Sequence, residues 1–263
     1  MYTQVDTDSD TQCVDCREHT KRSNRSSTRT IDCGSTSRGL FFGILTMVLS
    51  VTCLIVFFML TTNALKGENS TATLIVDIFR ISMYLLMTII SVVVILKLRS
   101  LDYNSCKSTS LEDILLVISI MALVTLDVIG IISGILYLNM MKGLMVLAIS
   151  IVELIQSVVQ IAAIVMGLKL CIPDVRELSD KPGREYVTFM IVANISLWIM
   201  SIFNDVINQG FEVQLMTLGQ LSWNIITNTV SPAVAFYHLL SASCFIDIWY
   251  SAYRLPSTPV VEV

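Results

Sequence analysis

The chain has 263 residues, 54% of them hydrophobic and only 14% charged. Soluble domains carry about a quarter charged residues, so composition disfavours a soluble domain, a disordered chain and a secreted disulfide scaffold alike. A net charge of −4 and a pI near 5.2 leave no basic footprint for nucleic acid, which is not an expected partner.

A bilayer core of about 30 Å is crossed by about 20 apolar helical residues. Six segments qualify. The first is Gly39 to Thr62, free of charge, and the second is Thr73 to Leu96, interrupted by Asp77 and Arg80. The third, Ile114 to Leu138, has Asp127 near its middle, and the fourth, Gly143 to Leu168, contains Glu153. The fifth, Tyr186 to Asn204, is free of charge, and the sixth, Leu221 to Tyr250, has Pro232 in its middle. These are continuous apolar runs and not alternating strands, which rules out a β-barrel. The expected fold is an all-α polytopic transmembrane bundle of six spans. Each span satisfies its own backbone hydrogen bonds, as hydrocarbon demands.

Residues 1–38 are polar and rich in Ser, Thr and Arg. They are expected to form a disordered cytoplasmic tail without a cleavable signal peptide. The membrane domain then covers 39–254, and 255–263 form a second cytoplasmic tail. Orientation follows from lysine and arginine. All 17 lie in the N-terminal tail, the second loop, the fourth loop or the C-terminal end, except Lys66, Lys142 and Arg80. Both termini are therefore expected in the cytoplasm, which requires an even number of spans, and the plasma membrane is the expected location.

None of the seven cysteines falls in an outer loop, so no structural disulfide is expected. Cys13 and Cys16 have C-x-x-C spacing, but a zinc site needs two further ligands and only His19 and Cys33 are near. No metal and no other cofactor is expected. Asn69-Ser70-Thr71 is a weak glycosylation sequon in the first outer loop. The chain has no phosphate loop, no G-x-S-x-G and no H-E-x-x-H. It is not expected to be an enzyme.

The informative residues are polar groups at mid-depth, because each is costly in hydrocarbon and marks a partner or a water cavity. Glu153, Gln156 and Gln160 stand at i, i+3 and i+7, on one face of the fourth span. Such a face can carry a file of water for protons, or it can glue the helix to a neighbour. Asp127 is the other buried carboxylate, and it has no Lys or Arg within one helical turn. Both carboxylates are read as standing without a nearby cation. Their depths differ by about 9 Å at 1.5 Å per residue, so water and not direct contact would link them. Asp77 and Arg80, at i and i+3, are expected to form a local ion pair near the outer interface. In the sixth span Asn224, Asn228 and Ser231 share a face ahead of Pro232, and Tyr237 and His238 follow it. A helix broken at the proline, with amides before and Tyr-His after, reads as the lining of a cavity. His238 is the one membrane histidine and is a candidate proton carrier or a neutral hydrogen-bond partner. Trp198, Trp223, Trp249, Tyr250 and Tyr253 are expected to anchor span ends at the interface.

The stretch from Arg184 to about Trp249 resembles the otopetrins, a family of proton-conducting membrane channels. Asn194 to Trp198 matches an N-[IV]-[ST]-L-W element, Trp223 to Asn228 a W-x-I-x-x-N stretch, and Phe236 to Leu240 an F-Y-R-M-H element after a proline. Gln160 to Ile164 is a weaker match to a Q-T-L-F-I-like element. The Arg and His of F-Y-R-M-H are replaced here by His238 and Leu240. Otopetrins have twelve spans in two six-helix halves and assemble as dimers, so the resemblance implies a barrel like their C-terminal half. It implies that Gln160, Asn194 and Tyr237 form a polar cluster inside that barrel and that Glu153 lines the path.

The resulting expectation is a proton-selective channel, with protons and water as its permeants and membrane lipid around it. Glu153 would titrate, Asp127 and His238 would relay, and Gln156, Gln160, Asn194, Asn228 and Tyr237 would hold water along the path. The chain is expected to form homo-oligomers or to pair with related subunits. The alternative is a non-conducting accessory or scaffold subunit that pairs with full-length otopetrins.

Overall fold

The computed structural model describes residues 34–63, 69–99, 102–103, 111–171, 183–203 and 212–252. Six long helices carry the six expected spans: α1 (Gly34–Asn63), α2 (Asn69–Leu98), α3 (Leu111–Leu136), α4 (Met141–Leu168), α5 (Arg184–Ile202) and, after the short α6 (Glu212–Leu218), α7 (Gln220–Ala252). All six are long and apolar enough to cross a membrane. A two-residue strand pair completes the described elements. In it β1 (Asp102–Tyr103) runs antiparallel to β2 (Leu170–Cys171), with Asp102 opposite Cys171. The pairing ties the loop after α2 to the loop after α4. Those loops therefore lie at one end of the helices, as strict alternation of spans requires.

The helices close into a ring. Neighbours run α1, α5, α7, α3, α4, α2 and back to α1. Outward faces are apolar: Phe41, Ile89, Leu136 and Met141 are each more than 60% exposed. Inward faces carry Ser91, Asp127, Glu153, Gln156, Gln160, Asn194 and His238, all buried. This is the reverse of a soluble bundle, and it follows from the solvent. Lipid offers no hydrophobic drive between helices, so close backbone approach and interhelical hydrogen bonds hold them. Glycines supply the approach. A Cβ on Gly134 of α3 would sit 2.7 Å from Leu147 Cβ and 2.9 Å from the Gly143 carbonyl oxygen of α4. A Cβ on Gly167 of α4 would sit 2.7 Å from Ile248 Cδ1 of α7.

Four features depart from the expected layout. Helix α1 begins at Gly34, inside the segment assigned to the tail; the remainder of that tail, with Cys13 and Cys16, and the segment 255–263 lie outside the described residues. Asn69, expected in a loop, opens α2. The sixth span is one continuous helix through Pro232 and is not broken there. The proline leaves the Asn228 carbonyl without its usual N–H donor, and the helical ladder on either side carries the chain past the gap. Helix α6 was not expected, because seven residues fall far below the length of a span. Gly219 separates it from α7 with φ 76°, a left-handed conformation that glycine adopts at no steric cost. Its N–H bonds the Leu215 carbonyl at 2.8 Å, closing α6.

The Gly134 contact gives a test of the α3–α4 hairpin. Gly134→Val overpacks it against backbone that cannot move away. A loss of about 1–3 kcal/mol is expected, read as a lower thermal denaturation midpoint of the purified protein in detergent.

Candidate functional site

Two hydrogen-bonded sets of buried polar groups stand along α4 inside the ring, one around Glu153 and one around Gln160. The first begins on α2. Asp77, Arg80 and Tyr84 are spaced to share a helix face, and they face α4. Tyr84 donates its hydroxyl to Glu153 Oε1 at 2.7 Å. Arg80 Nη2 lies 3.5 Å from Glu153 Oε2, and the two side chains are only 18% and 10% exposed. Glu153 is therefore not a carboxylate without a cation, and Arg80 does not serve only a local pair with Asp77. The partner comes from a helix 73 positions away in sequence, which no reading of α4 alone can see. Two donors on one carboxylate are what a low-dielectric interior requires of a buried charge.

A cavity of about 110 Å³ opens beside this group. A water needs about 10–15 Å³ on the same measure, so the space holds several. Asp77, Arg80, Tyr84, Asp127, Glu153 and His238 line it. So do Thr73, Ser201, Gln214 and Trp223, which lie near the start of α2, the end of α5, on α6 and near the start of α7. The cavity thus sits toward the end of the ring opposite the β1–β2 pair. Asp127 and Glu153 share its wall with no hydrogen bond between them. Asp127 Oδ2 is buried without a hydrogen-bond partner. The nearby Thr125 hydroxyl donates to the Met121 carbonyl at 2.7 Å. His238 is 1% exposed, packs edge-on against Tyr237 with ring centroids 5.2 Å apart, and leaves Nδ1 unpaired.

Beyond Glu153 the second set lies along α4 toward the other end. Gln156 Nε2 donates to Gln160 Oε1 at 2.6 Å. Gln160 Nε2 donates to Asn194 Oδ1 of α5 at 2.9 Å and approaches the Tyr237 hydroxyl of α7 at 3.4 Å. Asn194 Nδ2 is held by the Met190 carbonyl at 2.8 Å. Gln156, Gln160, Asn194 and Tyr237 are all fully buried, and none of them lines the cavity. Past them the interior turns apolar, filled by Ile164, Leu168, Met190, Phe245 and Ile248. The ring therefore holds a polar cavity at one end, a packed amide cluster at its middle and a dry apolar plug at the other.

Of the residues selected from sequence, Glu153, Asp127 and His238 meet at the cavity, while Gln156, Gln160, Asn194 and Tyr237 form the cluster beneath it. Asn228 joins neither. With Asn224 it lies on the exposed face of α7, which is one continuous helix through Pro232. Trp223 is a further correction: it is 5% exposed and walls the cavity, so it is not an interfacial anchor. Trp249 does sit near a helix end, under the Arg184 guanidinium at 4.5 Å. Arg80, Tyr84 and Gln214 were missed as site residues. The face shared by Asp77, Arg80 and Tyr84 repeats the i, i+3, i+7 pattern of α4 and was the available signal for two of them. Nothing in the sequence marks Gln214. Among the described residues no group of three or more His, Cys, Asp or Glu side chains is placed to hold a metal ion.

An amide cluster joining Gln160, Asn194 and Tyr237 from three helices is the arrangement the sequence resemblance implied. The otopetrin family model matches residues 1–239, well beyond the C-terminal stretch that carried the resemblance. The chain belongs to the otopetrin family. It is 31% identical over 233 residues to a Drosophila melanogaster protein named proton channel OtopLc, a match covering 88% of this chain. The chain spans 14% of that otopetrin's length.

The Arg80–Glu153 pair predicts an asymmetric pattern of stability. Arg80→Leu strands a buried carboxylate and is expected to cost about 3–5 kcal/mol. The double variant Arg80→Leu/Glu153→Leu removes both charges and is expected to recover most of that loss. Thermal denaturation of the four proteins in one detergent closes the double-mutant cycle.

Proposed function

We propose that this otopetrin forms a proton channel, with the cavity as its aqueous vestibule and Glu153 as the group that takes protons from it. One observation carries the proposal: a carboxylate held by Arg80 and Tyr84 borders a space large enough for water, and a hydrogen-bonded chain of amides leads away from it through the bundle interior. Protons hop between waters and side chains without a pore wide enough for hydrated ions, which makes the path proton-selective. Asp127 and His238 relay around the cavity wall. Gln156, Gln160, Asn194 and Tyr237 form the constriction, where amide and phenol groups pass hydrogen bonds from α4 to α5 and α7. Asn228, on the exposed face of α7, is left to contacts outside the barrel. The end bearing β1 and β2 faces the cytoplasm, because the loops there hold seven of the eleven basic residues outside the N-terminal tail, against two in the opposite loops. The channel sits in the plasma membrane and works as a homo-oligomer or with related subunits.

A second reading is favoured by a different observation. The cavity stops above the amide cluster, and the interior below that cluster is packed with apolar side chains. In this reading the amides are interhelical glue, and the chain is a non-conducting accessory or scaffold subunit paired with full-length otopetrins. Acid-evoked current in cells expressing the chain alone separates the two. Current supports conduction; its absence, together with co-purification of a full-length relative, supports the accessory role.

If the chain conducts, Glu153→Gln is expected to lower acid-evoked current about a hundredfold or more, the low end of what a positioned acid–base group contributes. Unchanged current in Glu153→Gln would remove Glu153 from the path.

A further inference from the structure

Glu153 and Asp127 face the same cavity with unequal provision. Glu153 has the Arg80 guanidinium and the Tyr84 hydroxyl as donors. Asp127, 4% exposed, keeps Oδ2 without any partner. Two further buried atoms of the cavity wall are also unpaired: Gln214 Oε1, on a residue 6% exposed, and His238 Nδ1, on a residue 1% exposed. With the imidazole proton on Nε2, Nδ1 accepts a hydrogen bond. All three unpaired atoms are then acceptors. Unpaired buried acceptors are costly, and their agreement in kind specifies an occupant made of donors.

Charge narrows the choice. The wall presents three carboxyl groups, Asp77, Asp127 and Glu153, against one guanidinium, Arg80; His238 and Tyr84 are its other titratable groups. Water would supply donors but no charge. A guanidinium supplies both, in a planar fork that matches a carboxylate. Trp223 and Tyr84 add aromatic rings to the wall, a surface that favours cations. The cavity, at about 110 Å³, accommodates a group of a few heavy atoms.

We propose that this cavity is a binding site for a small guanidinium cation, which does for Asp127 what Arg80 does for Glu153. Its N–H groups go to the Asp127 carboxylate of α3 and the side-chain carbonyl of Gln214 on α6, both on the cavity wall. The proposal rests on the cavity being open to solvent, as the channel reading also requires, but it does not require conduction.

The test is binding to the purified full chain in detergent at pH 7 and constant ionic strength. Methylguanidinium is titrated at millimolar concentrations against thermal stability and by calorimetry. Tetramethylammonium and potassium, which carry the same charge without N–H groups, serve as controls. Saturable stabilisation by methylguanidinium, absent with both controls, is expected. Asp127→Asn is expected to weaken binding about tenfold or more, the effect of losing a charged hydrogen-bond partner. Gln214→Leu, away from the Arg80–Glu153 pair, is expected to weaken it severalfold and serves if the Asp127 variant does not fold. Equal responses to all three cations, no saturation, or affinity untouched by either variant overturns the site. Because binding is read independently of the acid-evoked current, the outcomes separate cleanly. Binding without acid-evoked current leaves the site standing and sinks the channel; current without binding does the reverse.

Discussion

Hydrocarbon gives no solvation to a charged side chain, and the whole interior follows from that. A carboxylate in the middle of α4 must find its donors within the protein, so α2 turns Arg80 and Tyr84 inward to meet Glu153. That contact sets the rotation of both helices. Once α2 and α4 face each other, the remaining inward positions of α4 are fixed by helical spacing, and Gln156 and Gln160 point into the same interior. Gln160 then meets Asn194 and Tyr237 on α5 and α7. One ion pair at mid-depth and one amide cluster below it thus join four of the six helices. The outward faces need only be apolar, and they are.

The same constraint explains why the ring is polar at one end and dry at the other. Polar atoms that cannot all be paired with each other need space for water, and the unpaired atoms of Asp127, His238 and Gln214 belong to the cavity wall. The amide cluster and the apolar stretch beyond it are closely packed, and there Gln156 Oε1 is buried without a partner outside the cavity. Gly167 against Ile248 marks such a contact, on the side of the amide cluster away from the cavity. A proton reaching Glu153 from the cavity therefore meets packed side chains and not a continuous column of solvent. In the channel reading the barrier to conduction lies at and below the amide cluster, so movement of α5 or α7 relative to α4 would control it.

The polar stripe on α4 was readable because three residues at helical spacing in an apolar run have no other economical explanation. Its partners were not. Arg80 looked like half of a local pair with Asp77, since i, i+3 spacing on one helix always offers that solution, and sequence holds no measure of which way α2 is rotated. Trp223 and Asn228 show the converse error. Trp223 was assigned by residue type and nearness to a span end, and Asn228 by its place ahead of a proline expected to break the helix, but Trp223 is buried and Asn228 exposed on a continuous α7.

Sequence by itself determined the number of spans, their alternation and the polar stripe of α4 with the buried carboxyls Asp127 and Glu153. These depend on local hydropathy and on side-chain chemistry, which each segment carries alone. Membership of the otopetrins was legible for the same reason, in short motifs along α5 and α7. Only the tertiary structure decided the order of helices around the ring, the pairing of Arg80 with Glu153, the place of Gln214 at the cavity and the dry half beneath the amides. Those depend on which faces meet across 70 or more positions of chain, and in lipid that choice is made by close packing and donor–acceptor matching between helices, neither of which is written in any one of them.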